Sequence, residues 1–166
     1  MDYRITSTYS RSKAVNYAIK HAKNPNPAYR YFPVVGDNGG DCTNFTSQCL
    51  FAGVAPMIFS GKNIWWYKNH GWSISWATAH SLYWYLKINA HDNLYGAKGR
   101  EVSSSSLLEK GDIIFYRNQR GKITHSAMIT SFKNGSPLIS QHTPEVLNIS
   151  YIKPWASKMY FMKISL

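Results

Sequence analysis

The stretch Gly39-Gly40-Asp41-Cys42-Thr43-Asn44-Phe45-Thr46-Ser47-Gln48-Cys49-Leu50 constrains this chain more than any other. Two glycines allow a tight, open approach, and Asp41 is a residue type whose carboxylate accepts the free N–H groups of a helix's first turn. Phe45, Cys49 and Ala52 recur on one helical face with Leu50 beside them, and Gly53 stops the helix. Cys42 then stands at the first helical position, where the positive end of the helix dipole favours a thiolate. A capped helix with an idle small residue at its start fits the same letters, so the rest of the chain has to decide.

A length of 166 residues suits one domain with a real core, here 1–166, with a helical half at about 9–90 and a sheet half at about 107–166. Hydrophobic residues make up 44% of the chain and aromatics 15%, a share that supplies both a core and a wet binding groove. No apolar run approaches the roughly 18 residues of a membrane span, and Met1–Ser10 has no apolar signal core. The expected location is therefore extracellular or wall-associated if the chain belongs to a longer exported protein, with delivery by another route or a cytoplasmic location as the alternatives. Nineteen basic residues against eight acidic ones give a net charge of +11, which favours anionic partners such as cell-wall polymers. The basic residues are scattered, with Arg117, Arg120 and Lys122 the nearest to a cluster, and this argues against a dedicated nucleic-acid site. A monomer is expected.

Cys42 and Cys49 fall two helical turns apart, roughly 10 Å, too far for a disulfide. Cys49 reads as packing. No CxxC, HExxH or other metal-ligand spacing is present, and no cofactor is expected.

Along the chain, a helix is expected at Ser10–Lys23, ended by Asn24-Pro25-Asn26-Pro27, then an extended aromatic segment at Tyr29–Val35. Residues 54–74 are irregular and aromatic. A second helix is expected at Ser75–Ile88, capped by Ser75, with His80 structural or at the surface. Strands follow at Ile113–Tyr116, Ile123–Phe132, Leu138–His142 and Met159–Ile164, joined by turns at Asn118–Gly121 and Asn134-Gly135. Helices first and a largely sequential antiparallel sheet afterwards make an α+β fold with the helices on one side of the sheet.

A thiolate nucleophile needs a partner that takes its proton and returns it to the leaving group. His125 opens the long second strand and shares a face with Ala127 and Ile129, at a strand end that can meet a packed helix start. Gln141 and His142 end the neighbouring strand and point to opposite faces, so one of them orients the imidazole. The Cys42 backbone N–H is the natural oxyanion donor, with a second donor among Tyr29, Tyr31 and Asn38.

Gly-Asp-Cys-Thr-Asn-Phe-Thr-Ser-Gln (40–48), Ser-Trp (75–76), Lys-Gly-Asp-Ile-Ile (110–114), His-Ser-Ala-Met-Ile-Thr (125–130) and Ile-Ser-Gln-His-Thr (139–143) resemble, in order, the putative amidase domain family within the papain-like NlpC and CHAP cysteine peptidases. The resemblance runs from about residue 9 to 164. It implies a helical half carrying Cys42 as nucleophile, packed on a small antiparallel sheet carrying His125 as base. His142 is its preferred third residue and Gln141 the alternative. It also implies a hydrolase acting on amide bonds, often those of bacterial peptidoglycan peptides. On that reading Trp65, Trp66, Tyr67 and Trp72 wall the substrate groove. A non-catalytic basic module that binds wall polymer or nucleic acid, or an acyltransferase using the same Cys–His pair, are the alternatives.

Overall fold

Ser10 accepts a hydrogen bond from the Lys13 backbone N–H, and from that cap helix α1 runs Arg11–His21 with Lys20 and His21 in its last turn. Its buried Ala14 and Ala18 are small enough to bring α1 close to the second helix. The computed structural model describes residues 8–36 and 38–166. After α1 come a short hairpin, β1 (Val34–Val35) and β2 (Asn38–Gly39), and then α2 (Cys42–Ala52). A second hairpin, β3 (Tyr67–Lys68) and β4 (Gly71–Trp72), leads into α3 (Ile74–Ala77) and α4 (Ala79–His91).

The single helix expected at Ser75–Ile88 is thus broken. Thr78 is extended, and Ser73 rather than Ser75 caps the short first piece by accepting from Trp76 N–H. The Ser75 hydroxyl is spent on the Ile64 carbonyl.

The remaining elements are β5 (Lys98–Val102), a 3-10 turn at Ser105–Leu107, β6 (Ile113–Arg117), β7 (Ile123–Lys133), β8 (Ser136–Gln141), β9 (Val146–Ser150) and β10 (Lys158–Ser165). Strands β5 to β10 form one six-stranded antiparallel sheet in the order β5-β10-β6-β7-β8-β9. The fold is α+β, as expected, and the four expected strands are there. The two edge strands were not anticipated. β5 reads Lys-Gly-Arg-Glu-Val, a charged composition normal for an edge, and Gly99 is required because a Cβ would come within 2.6 Å of Met162 Sδ.

The sheet separates two apolar layers by strand alternation. Ile113, Phe115, Met128 and Met162 face the helices, while Ile114, Tyr116, Ala127 and Ile129 face a second layer built with Phe132, Tyr151 and Phe161. The Lys110-Gly111-Asp112 turn joins the halves: the buried Asp112 carboxylate accepts from Arg11 Nη1 at 2.7 Å and from the Glu109 and Ile164 backbone N–H groups at 2.9 Å.

α2 is buried on every side from Cys42 to Leu50 although half of it is polar. Each polar side chain has a partner. Thr43 and Thr46 share the Ser126 hydroxyl, Asn44 Nδ2 donates to the Arg30 carbonyl, Ser47 donates to the Trp76 carbonyl, and Gln48 accepts from Tyr17. Two tryptophan N–H groups reach in, Trp65 to Ser47 and Trp76 to Asn44. This corrects the reading of Trp65 and Tyr67 as walls of a groove. Trp65 is fully buried and packs on Trp76 and Tyr85. Tyr67 is buried, and its hydroxyl accepts from Arg30 N–H. Trp66 packs on Phe59, and Trp72 meets Phe32 edge-on beneath the Arg30 guanidinium. Large aromatics are needed here because α2 offers its neighbours little apolar bulk. Among the described residues, no helix is long and apolar enough to cross a membrane.

Trp65→Ala should lower the unfolding free energy by about 3–5 kcal/mol, the range for deleting a large buried aromatic, read from urea denaturation. A groove residue would leave the urea midpoint nearly unmoved.

Candidate active site

α2 starts at Cys42, the position expected from the sequence, and its first turn is driven into a loosened end of β7. The β6–β7 register slips between Tyr116 and Arg117, and the β7–β8 ladder begins only at Met128↔Ser140. In that gap Cys42 Sγ lies 3.9 Å from the Thr124 carbonyl oxygen and 3.7 Å from Thr43 Oγ1, and the backbone N–H groups of Ser126 and Thr43 are directed at it. The thiol therefore touches both residues that flank His125. Both cysteines are free thiols, and Cys49 lies in the core as expected.

His125 is 6% exposed. Its Nε2 is 2.8 Å from Gln141 Oε1, and Gln141 Nε2 donates to the Pro144 carbonyl at 3.2 Å. That second bond fixes the amide so that its oxygen faces the ring. Nε2 must then carry the proton, which leaves Nδ1 as the basic nitrogen. Tyr116 and Trp155 pack against the ring with centroids 5.5 and 6.1 Å away.

His142, the preferred third residue, is elsewhere. Its Nδ1 meets Asp41 Oδ2, its Nε2 donates to the His21 carbonyl at 2.8 Å, and its ring stacks on Phe45 at 4.1 Å. The contact to His125 belongs to the alternative, Gln141. Strand alternation separates the two: Gln141 reaches the imidazole, while its neighbour turns to the helices. Asp41 also departs from expectation, for its side chain makes no cap bond. Oδ1 accepts from Phe32 N–H and Asn44 Nδ2, both at 2.8 Å, and Oδ2 takes His142. Asp41 N–H donates to Thr143 Oγ1 at 2.8 Å. Gly40 permits this approach: its φ is +106°, and a Cβ would stand 2.9 Å from Thr143.

Burial dominates the electrostatics. It pushes the Cys42 thiol up, against the opposing N–H and hydroxyl donors of Ser126 and Thr43, and the nearby Asp41 charge adds to the rise. The helix start thus does not give the resting thiolate that position alone suggested. Burial likewise lowers His125 to about 4; the Gln141 bond opposes the drop and the Lys153 ammonium adds to it. Thiol and imidazole are both neutral near pH 7.

Cys42 opens onto a cleft of about 190 Å³ lined by Gly39, Gly40, Thr43, Ala77, Thr78, Ala79, His80, Ile123 and Thr124. The α3–α4 break at Thr78 forms one wall, which the sequence hid because Ser75–Ile88 reads as one helix. His80 lines this cleft and also an adjoining cavity of about 460 Å³ with Ile74 and Trp84, so it is a cleft residue as well as an exposed one. Ser126 was also missed; its signal is a fully buried hydroxyl one position from His125, which strand alternation turns toward the helices. The Cys42 N–H stands at the start of α2. Two of the additional donors proposed from sequence, Tyr29 and Tyr31, make other contacts. Tyr29 packs between Tyr67 and Trp76, and Tyr31 donates to Glu145 at 2.7 Å. The Asn38 side chain lies outside the described residues. Among the described residues, no three His, Cys, Asp or Glu side chains stand together in a metal-holding group.

Comparison with known proteins gives one family match, to the putative amidase domain, over residues 8–165. Two Bacillus subtilis (strain 168) proteins are similar. Uncharacterized protein YhbB is 38% identical over 139 residues, covering 81% of this chain and 42% of its own length. Uncharacterized protein YjcM is 31% identical over 150 residues, covering 85% of this chain and 32% of its own length. The chain thus spans well under half of these relatives. No solved structure matches.

Two stability measurements probe this arrangement. His125 has a folded value of about 4, below the ordinary ~6.5, so between those limits the unfolded chain binds a proton that the folded chain refuses. Stability should fall as pH drops through that window, by on the order of 3 kcal/mol in total, and His125→Gln should remove this part of the slope in urea titrations. His142→Ala should cost about 3–5 kcal/mol by leaving the buried Asp41 carboxylate without its partner, read from the same denaturation midpoints.

Proposed function

This chain belongs to the family of putative amidase domains, and we propose that it is a cysteine-dependent amidase of papain-like type, with Cys42 as nucleophile, His125 as base and Gln141 as the residue that orients the base. One observation carries the reading: the Cys42 sulfur is seated on the backbone either side of His125, whose far nitrogen is held by an amide of fixed orientation.

The chemistry follows from neutral partners. As the sulfur attacks the amide carbonyl in the cleft, Nδ1 of His125 takes the thiol proton. The negative oxygen faces the Cys42 N–H at the start of α2. Collapse of the tetrahedral adduct breaks the C–N bond, and the imidazolium returns the proton to the departing amine, leaving a thioester. Water, deprotonated by Nδ1, then attacks the thioester carbonyl. The second collapse releases a carboxylic acid and restores the thiol. The buried imidazole favours this concerted route, because a neutral ring is the competent base.

The proposed substrates are peptide amides of bacterial cell wall. The net charge of +11, which concentrates anionic polymer at the surface, supports this, as does the chain's motif resemblance to wall-active cysteine peptidases.

Incubation with purified peptidoglycan and defined muropeptides, followed by mass analysis, tests the reading. The wild-type chain should give products that have gained one water, and Cys42→Ala should fold and give none. Retained hydrolysis by that variant would sink the assignment, and products joined to an added amine would make the protein a transferase. The acid limb of kcat/KM should lie near pH 4, where His125 protonates, rather than near the ordinary histidine value.

A further inference from the structure

Lys153 sits in the connection between β9 and β10 and has no part in the steps above. Its Nζ lies 5.2 Å from the centroid of the Tyr116 ring, the ring that packs against His125. Trp155, half-exposed, stands 5.9 Å from Tyr116 and 6.1 Å from His125. Lysine, two aromatic rings and the imidazole thus form one cluster at the edge of the site.

The ammonium is partly buried, and among the described residues it meets neither a carboxylate nor a hydrogen-bond acceptor. Of the other partly buried cations, Arg11, Lys87 and Lys163 rest on carboxylates, the last two on Glu101 and Glu109 at 3.0 Å, and Arg117 donates to the Ser157 hydroxyl. Burial draws the Lys153 amine below its ordinary range, and a charge on Cys42 would raise it. The same ammonium helps to lower His125. Its field therefore reaches both reacting groups, and none of its three N–H donors is used among the described residues. A partly desolvated cation held only by an aromatic face is costly to keep unless an anion completes it.

We propose that Lys153 receives a carboxylate that the substrate carries close to the scissile amide. This deepens the reading of Cys42 and His125 as the reacting pair and rests on it. It narrows the substrate class to amides with a free carboxylate nearby, either a chain terminus or an acidic side chain. Trp155 forms the apolar flank of that anion site.

The test needs no substrate. Cys42 is alkylated by iodoacetate, which carries a carboxylate, and by iodoacetamide, its neutral isostere, with the labelled residue identified by mass spectrometry. The measured quantity is the ratio of the two rate constants in wild type, Lys153→Met and Lys153→Arg, with melting curves taken alongside. Methionine keeps an unbranched apolar stem over Tyr116. Loss of the cation should lower the iodoacetate-to-iodoacetamide ratio about fivefold, a factor of the size one nearby charge supplies in a partly screened site. Arginine should restore it. In the wild-type chain, needing no variant at all, added salt should lower the ratio in the same direction.

A ratio indifferent to salt and to Lys153→Met would overturn the proposal while leaving Cys42 and His125 in place. An equal slowing of both reagents would overturn it too, because the lysine would then act on the thiol and not on the incoming anion. Absence of Cys42 labelling by either reagent would bring down the nucleophile itself, and the proposal with it.

Discussion

The structure depends on a polar helix buried at its centre. α2 carries threonine, asparagine, serine and glutamine into the interior, where each hydroxyl or amide without a partner would cost on the order of 1–3 kcal/mol. The surrounding elements are placed to meet that demand. α1 sends Tyr17 to Gln48, the aromatic segment sends Trp65 to Ser47, α3 sends Trp76 to Asn44, and β7 contributes Ser126 between two threonines. Hydrophobic burial supplies the driving force, but hydrogen bonding to α2 selects which packing is acceptable.

That network explains what could be read from the letters and what could not. The start of α2 was legible because glycine, an acidic residue and a helical repeat adjoin in sequence. The central strands were legible from alternation, and the pairing of Cys42 with the strand end at His125 followed from a helix start meeting a sheet. The partners of polar side chains were not legible, because each lies tens of residues away and any acceptor of suitable shape would serve. Asp41 looked like a cap but satisfies Phe32 and His142. Trp65 looked like a groove residue but finishes the wrapping of Ser47. Gln141 and His142 differ by one position in a strand, and only three-dimensional placement separates the residue that steadies the imidazole from the one that faces the helices. The family match over nearly the whole chain agrees with the ordered motifs, while the cleft wall at Thr78 arose from a helix break that helical periodicity concealed.

Burial also sets the character of the site. Desolvation moves the thiol up and the imidazole down, which separates their protonation ranges and disfavours an ion pair at rest. The backbone and hydroxyl donors around the sulfur oppose its rise, and the Gln141 bond fixes the tautomer of the neutral imidazole.

The contact between Asp41 and His142 has a meaning beyond stability. Cys42 follows Asp41 directly, and Gln141 directly precedes His142. One bond between helix and sheet therefore sets the spacing of two residues on either side of it. Any fluctuation that parts the helical half from the sheet draws Cys42 away from the strand end that carries His125 in the same movement. A chain still folding, or one opened by stress, holds Cys42 and His125 on halves that have not yet docked. Formation of the Cys42 cleft is in this way tied to complete docking of the two halves.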